Sequence, residues 1–205
     1  MALQFFLSGG YVMWPLLLCS IVAVAVSLER FFFLRRVHVD GEKLMRRVNE
    51  CLARGLPAEA KGICEATPGP VAKVLAAALA RPELSKGEIR DSVRAVALAE
   101  VPVLERYLPT LSTVVTVSPL LGLFGTISGL MKVFKVISGG QIGNYELLSV
   151  GIAEALITTF AGLAIAIPFL VVYNSLSSRV DSLVNEMEQR VAELLARRPD
   201  GGEGR

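Results

Sequence analysis

The chain is short of the residues from which metal, disulfide and hydrolytic sites are built. It has one histidine, His38, and three cysteines, Cys19, Cys51 and Cys64, with no CxxC pair. A metal site needs clustered Cys and His, and an odd count with one thiol inside an apolar run offers no disulfide framework. We therefore expect reduced bystander thiols, no metal and no cofactor. Phosphate loops and nucleophile–base pairs are also missing from the sequence, so no enzyme is expected. Charge is scarce as well: Asp, Glu, Lys and Arg make up 20% of the residues and sum to +2. A soluble domain usually carries about a quarter, and so small a net charge gives no footing for nucleic acid. Finally, Met1 to Ser27 contains no Lys or Arg. The positive charges Arg30, Arg35 and Arg36 come after the first apolar run, the wrong side for a cleaved signal, so that run is read as a retained helix.

What the 205 residues do contain is apolar surface, 53% of positions, with a mean hydropathy of +0.54. It is packed into three runs, each long enough to cross about 30 Å of hydrocarbon as a helix. The expected class is all-α, an integral membrane protein with three transmembrane helices whose long helices extend into a cytoplasmic helical region. Residues 1–10 form an outward N-terminal segment and 11–34 the first span. Residues 35–107 form the cytoplasmic helical region, 108–137 the second span, 138–146 a short periplasmic loop and 147–176 the third span. Residues 177–205 form a C-terminal helix with a disordered end from Arg197 to Arg205. Within the polar region Asp40 suits an N-cap, and Pro57 and Pro70 suit first turns. Ser85 with Glu88 makes a capping box opening a helix, Lys86 to Tyr107, that is expected to continue, kinked, into the second span. Val180, Leu183, Val184, Met187, Val191, Leu194 and Leu195 draw an apolar stripe along the tail.

The basic residues set the expected orientation. Thirteen lie between Arg35 and Arg106 and five more from Arg179 onward, against none in 138–148 or the N-terminal stretch. The positive-inside rule puts the large segment and the C-terminus in the cytoplasm, with the N-terminus and the 138–148 loop outside. Lys132 and Lys135, near the outer end of the second span, run against the rule. They are expected to snorkel to the interface or to face a water-filled path.

At about 100° per residue, the third span gathers Gly151, Glu154, Ala155, Thr158, Thr159, Ala161, Gly162 and Ala166 on one face. Leu156, Ile157, Phe160, Leu163 and Ile167 fill the other. The second span repeats the design, with Ser118, Gly122 and Thr126 on one row and Gly125 and Gly129 on the next. Small residues at four-residue spacing let helix backbones approach closely. A short loop makes these spans antiparallel neighbours, and counting about 1.5 Å per residue brings Thr126 and Thr159 to similar depth, with Glu154 nearer the outer end. A carboxyl group at that depth costs about 2.5–3.5 kcal/mol on insertion scales, so Glu154 should face protein or water. Two readings stand: a group on a proton path, or a polar tie between helices. Thr126, Thr158 and Thr159 divide the same way, because membrane threonines commonly bond back to their own helix.

The runs Leu120-Leu121-Gly122-Leu123-Phe124-Gly125-Thr126-Ile127-Ser128-Gly129 and Gly151-Ile152-Ala153-Glu154-Ala155-Leu156-Ile157-Thr158-Thr159 resemble the MotA/TolQ/ExbB family. The stretch from Gly162 through Pro168 to Tyr173-Asn174 is similar to it too. The resemblance implies a proton-channel and motor subunit of the bacterial cytoplasmic membrane, assembled as a homopentamer around two copies of an ExbD/TolR-type single-span partner. That partner's aspartate would carry the proton, and the work would reach a TonB- or TolA-like envelope protein. The family's threonines fall on Thr126 and Thr159 and its glutamate on Glu154, with Thr158 beside them on the expected pathway. Ser118, Gly122, Gly125, Gly129, Gly151, Ala155 and Gly162 would form the packing or pore face. Ser128 stands where the family often has a bulky aromatic. Three spans favour the ExbB/TolQ branch over the four-span flagellar stators. A structural scaffold without proton conduction, or a stator-like motor subunit, are the alternatives.

Overall fold

Capping chemistry decides where the polar helices begin. The computed structural model describes residues 6, 8–37, 39–81, 84–139 and 145–196. His38, most of the 138–146 loop and the expected disordered end lie outside them. In chain order the helices are α1 (Met13–Val37), α2 (Gly41–Ala53), α3 (Pro57–Ala66), α4 (Pro70–Leu79), α5 (Lys86–Glu105), α6 (Leu108–Ser138) and α7 (Tyr145–Ala196). Among the described residues there is no strand. The Asp40 side chain accepts from the Lys43 amide at 3.1 Å and opens α2. Pro57 and Pro70 start α3 and α4, where a missing N–H goes unnoticed. At α5 the capping box is complete, with Ser85 Oγ accepting from the Glu88 amide and the Glu88 carboxylate accepting from the Ser85 amide.

The expected continuation of α5 into the second span does not occur. Helix α5 ends at Glu105; Arg106 and Tyr107 form a turn, Tyr107 with the left-handed φ of 66°, before α6 begins. Pro109 favours the break. In an unbroken helix its ring would strike the carbonyl of Glu105 four residues back, whereas in the first turn of a new helix it costs nothing. Beyond the third span the opposite holds: α7 runs without interruption from Tyr145 to Ala196, through Pro168, so the span and the C-terminal helix are one element.

The chain divides into two compact units. The first comprises Met1–Arg30 and Tyr107–Ser175. Its three helices are long and apolar enough to cross a membrane, and the chain is an integral membrane protein of three spans. The outer surface of this unit is aliphatic and aromatic, with Leu18, Ile21, Leu120, Phe124, Met131, Phe134, Leu156, Phe160 and Ile167 among its exposed side chains. In water so large an apolar surface would drive association, and in hydrocarbon it is ordinary solvation. Between α6 and α7 this unit buries a row of small or polar residues, Ser118, Gly122, Gly125, Gly129, Gly151, Glu154, Ala155, Thr158 and Gly162, with Leu108, Leu111, Val114 and Val133 buried towards the two ends of α6. Val12, Met13 and Leu16 form a second core at the start of α1, against Leu121, Ile157, Ala161 and Ile165. At the other end of α1, Arg30 is buried, makes a paired contact with the Glu29 carboxylate at 2.5 and 2.6 Å, and stacks 5.4 Å from the Tyr107 ring.

The second unit comprises Phe31–Arg106 and Leu176–Arg205. Helices α2 to α5 pack in succession on one another. The apolar stripe of the tail is buried at Val180, Leu183, Met187, Val191, Leu194 and Leu195, with Val184 half-buried. Lys73 ties α4 to Glu100 of α5 at 2.8 Å.

Candidate functional site: the α6–α7 interface

The small faces of α6 and α7 are pressed against each other within the chain. A Cβ on Gly129 would lie 2.6 Å from the Gly151 carbonyl and 2.9 Å from Ala155 Cβ; one on Gly122 would lie 3.0 Å from the Thr158 carbonyl. At the far end, a Cβ on Gly162 would come within 2.6 Å of the Ser118 carbonyl. The pairs step in opposite directions along the two helices, which makes them antiparallel. Glycine at these positions is what allows backbone to meet backbone. A Cβ on Gly125 would collide with the Thr158 side chain.

The hydroxyls then sort by position. Thr158 is fully buried and donates back to the Glu154 and Ala155 carbonyls, both at 3.0 Å. Ser118 is equally buried and bonds the Val114 carbonyl at 2.7 Å. Thr126 and Thr159 are half-buried, and their hydroxyl oxygens are 2.5 Å apart across the two helices. Both also reach one acceptor, the Gly122 carbonyl, at 3.1 and 3.2 Å. A hydroxyl can donate one proton and accept two, so a pair that shares a carbonyl can exchange donor and acceptor roles by rotation alone.

Glu154 is enclosed by protein, as its cost in hydrocarbon requires, with 7% of its side chain exposed. Among the described residues its carboxylate bonds neither Thr126 nor Thr159. Its two carboxylate oxygens accept from Lys132 Nζ, each at 2.6 Å. Sequence reasoning left Lys132 to the interface or a water path and missed this partner. Register combined with reach was the available signal: Lys132 sits one turn nearer the connecting loop than Gly129, Glu154 one turn farther from it than Gly151, and a long lysine stem spans that offset. The N-terminal segment completes the enclosure. Gly10, at φ 68°, lies so close that any side chain there would strike the Glu154 carboxylate. Tyr11 donates from its phenol to Ser128 Oγ at 3.1 Å, meets Phe124 edge-to-face at 6.5 Å, and lies 5.9 Å from Lys132 Nζ. The aromatic beside Ser128 is thus supplied by another segment of the chain. Among the described residues no group of three His, Cys, Asp or Glu could hold a metal ion.

Comparison with known proteins adds to this geometry. The model of the MotA/TolQ/ExbB proton channel family matches residues 66–189. ExbB-like 3 of Synechocystis sp. is 34% identical over 197 residues, covering 94% of this chain and 93% of that protein. The Tol-Pal system protein TolQ of Haemophilus influenzae is 43% identical over 105 residues, 50% of this chain and 46% of TolQ. The biopolymer transport protein ExbB of Salmonella typhimurium is 39% identical over 85 residues, 42% of this chain and 35% of ExbB.

Proposed function

Because the chain belongs to the MotA/TolQ/ExbB proton channel family, an energy-transducing subunit of the proton-channel type, we propose that it couples the proton motive force to work on a TonB- or TolA-like envelope protein. In this reading it resides in the bacterial inner membrane, N-terminus outside and C-terminus in the cytoplasm. Five copies surround two ExbD/TolR-type helices, whose aspartates carry the proton. The subunit acts by conduction and movement, without enzymatic chemistry.

The observation that carries the reading is the Thr126–Thr159 pair. Among the described residues it is the one place on the α6–α7 interface where two hydroxyls of different helices bond each other, 2.5 Å apart, without being fully buried. A pair with interchangeable donor and acceptor roles can relay or guide a proton toward a carboxylate brought by another helix. The test is proton flux into vesicles holding the full chain and the single-span protein that copurifies with it. Thr159→Val, matched for assembly, abolishes flux under this reading; flux at the wild-type rate overturns it.

A structural scaffold is favoured by different observations. Among the described residues the Thr158 hydroxyl bonds only its own helix, and Glu154 is spent in an ion pair. For a scaffold, Glu154→Ala dissolves the oligomer and the wild-type complex passes no protons.

A further inference from the structure

Glu154 and Lys132 are held as more than a chance pair. Both Glu154 oxygens accept from one ammonium at equal distances of 2.6 Å. One ammonium bridging both oxygens of a carboxylate is the geometry of a charge-assisted ion pair. The exposure is lopsided: 7% for the glutamate side chain and 52% for the lysine. The anion is sealed while the cation, on a flexible stem, keeps access to its surroundings. Helix α6 brings Lys132 to the carboxylate, and the N-terminal segment brings Gly10 against the carboxylate and the Tyr11 ring against the lysine; the Thr158 hydroxyl, one turn along α7, is committed to backbone carbonyls. Tyr11 is in turn anchored to Ser128 and Phe124 of α6, so the segment lies over the pair like a strap.

We infer that Lys132 is a positioning residue that holds Glu154 as a neutralised, non-transferring carboxylate, closed over by Gly10 and Tyr11. This subunit then contributes the Thr126–Thr159 hydroxyls to proton passage, with Glu154 held in its ion pair. The inference rests on the reading of those threonines above, but its evidence is separate. The lysine charge offsets part of the cost of enclosing the anion, and its one ammonium occupies both carboxylate oxygens. Removing the lysine charge leaves an enclosed anion with no partner, which takes up a proton instead.

Infrared spectroscopy of the full chain in lipid nanodiscs at neutral pH tests this directly, since the wild-type minus Glu154→Gln difference isolates the Glu154 bands. The expected wild-type difference holds carboxylate stretches and no carboxylic-acid carbonyl stretch. Lys132→Arg retains that signature; Lys132→Met loses the carboxylate bands and gains the acid carbonyl. An acid band in the wild-type protein, or unchanged carboxylate bands in Lys132→Met, overturns the inference. The wild-type difference decides the matter even if Lys132→Met does not fold. Proton flux that survives Thr159→Val would overturn the proposed function while leaving the Glu154 bands in place, so the two failures are separable.

Discussion

The hydroxyls of Thr126 and Thr159 face each other 2.5 Å apart across two antiparallel helices and share the Gly122 carbonyl. Neither helix alone contains this arrangement, and either valine substitution dismantles it while keeping the shape. A hydrogen bond of this kind contributes about 0.5–1.5 kcal/mol net. We expect Thr126→Val and Thr159→Val to lower stability by that order, leave assembly intact on native gels, and abolish proton flux. The double variant should lose little more stability than either single one, because each removes the same bond.

Gly129 and Gly62 should respond oppositely to alanine. A Cβ on Gly129 meets the Gly151 backbone and Ala155, whereas one on Gly62, within α3, meets nothing within 4 Å. Overpacking of the first kind costs about 1–3 kcal/mol, and alanine in an open helix position adds about 0.5–1 kcal/mol. Unfolding of each variant in detergent should show Gly129→Ala destabilised and Gly62→Ala stabilised.

Two helix caps of the polar region should fail in acid. Hydrogen bonding from the Lys43 side chain, then from its backbone amide, holds the Asp40 carboxyl below its ordinary value of 3.8. The Ser85 backbone amide, then its hydroxyl, holds Glu88 below 4.5. A carboxyl depressed in the folded state contributes stability that is present above its ordinary value and lost as pH falls through the lower folded one. Hydrogen exchange at the Lys43 and Glu88 amides, corrected for intrinsic rate, should therefore be slow at neutral pH and accelerate only below about pH 4. Asp40→Asn and Glu88→Gln should flatten that dependence.

The Cys64 thiol should resist alkylation. Burial, with a smaller contribution from the Glu65 charge, pushes it up to about 11, and the thiolate is the reactive form. At pH 8 we expect Cys64 to react about 100-fold more slowly than a free peptide thiol, and to regain ordinary reactivity on unfolding. Mass spectrometry of iodoacetamide-treated chain checks both.

Much of the architecture was readable because its signals are local. Three long apolar runs require helices wherever hydrocarbon is the solvent, since each backbone group must be bonded within its own segment. The caps at Asp40 and Ser85 and the first-turn prolines act within four residues. The same locality misled at Pro109, which reads as a kink in a continuing helix. The chain instead placed the break at Arg106 and Tyr107, a choice between two local solutions that only the full fold makes. Thr126 and Thr159 could be matched in depth by counting residues along a hairpin, because helix rise is constant.

The sequence by itself determined the three spans, the small faces that let α6 and α7 touch, and the isolation of one carboxyl group that had to be enclosed. Only the tertiary structure decided what encloses it. Lys132 lies on a different helix and Gly10 and Tyr11 on a segment over a hundred residues away. Whether a long lysine side chain turns outward to the interface or inward to an anion depends on the register of its helix against its neighbour. Periodicity along one strand of sequence gives the face a residue is on, and packing alone decides which residue of the other helix it meets.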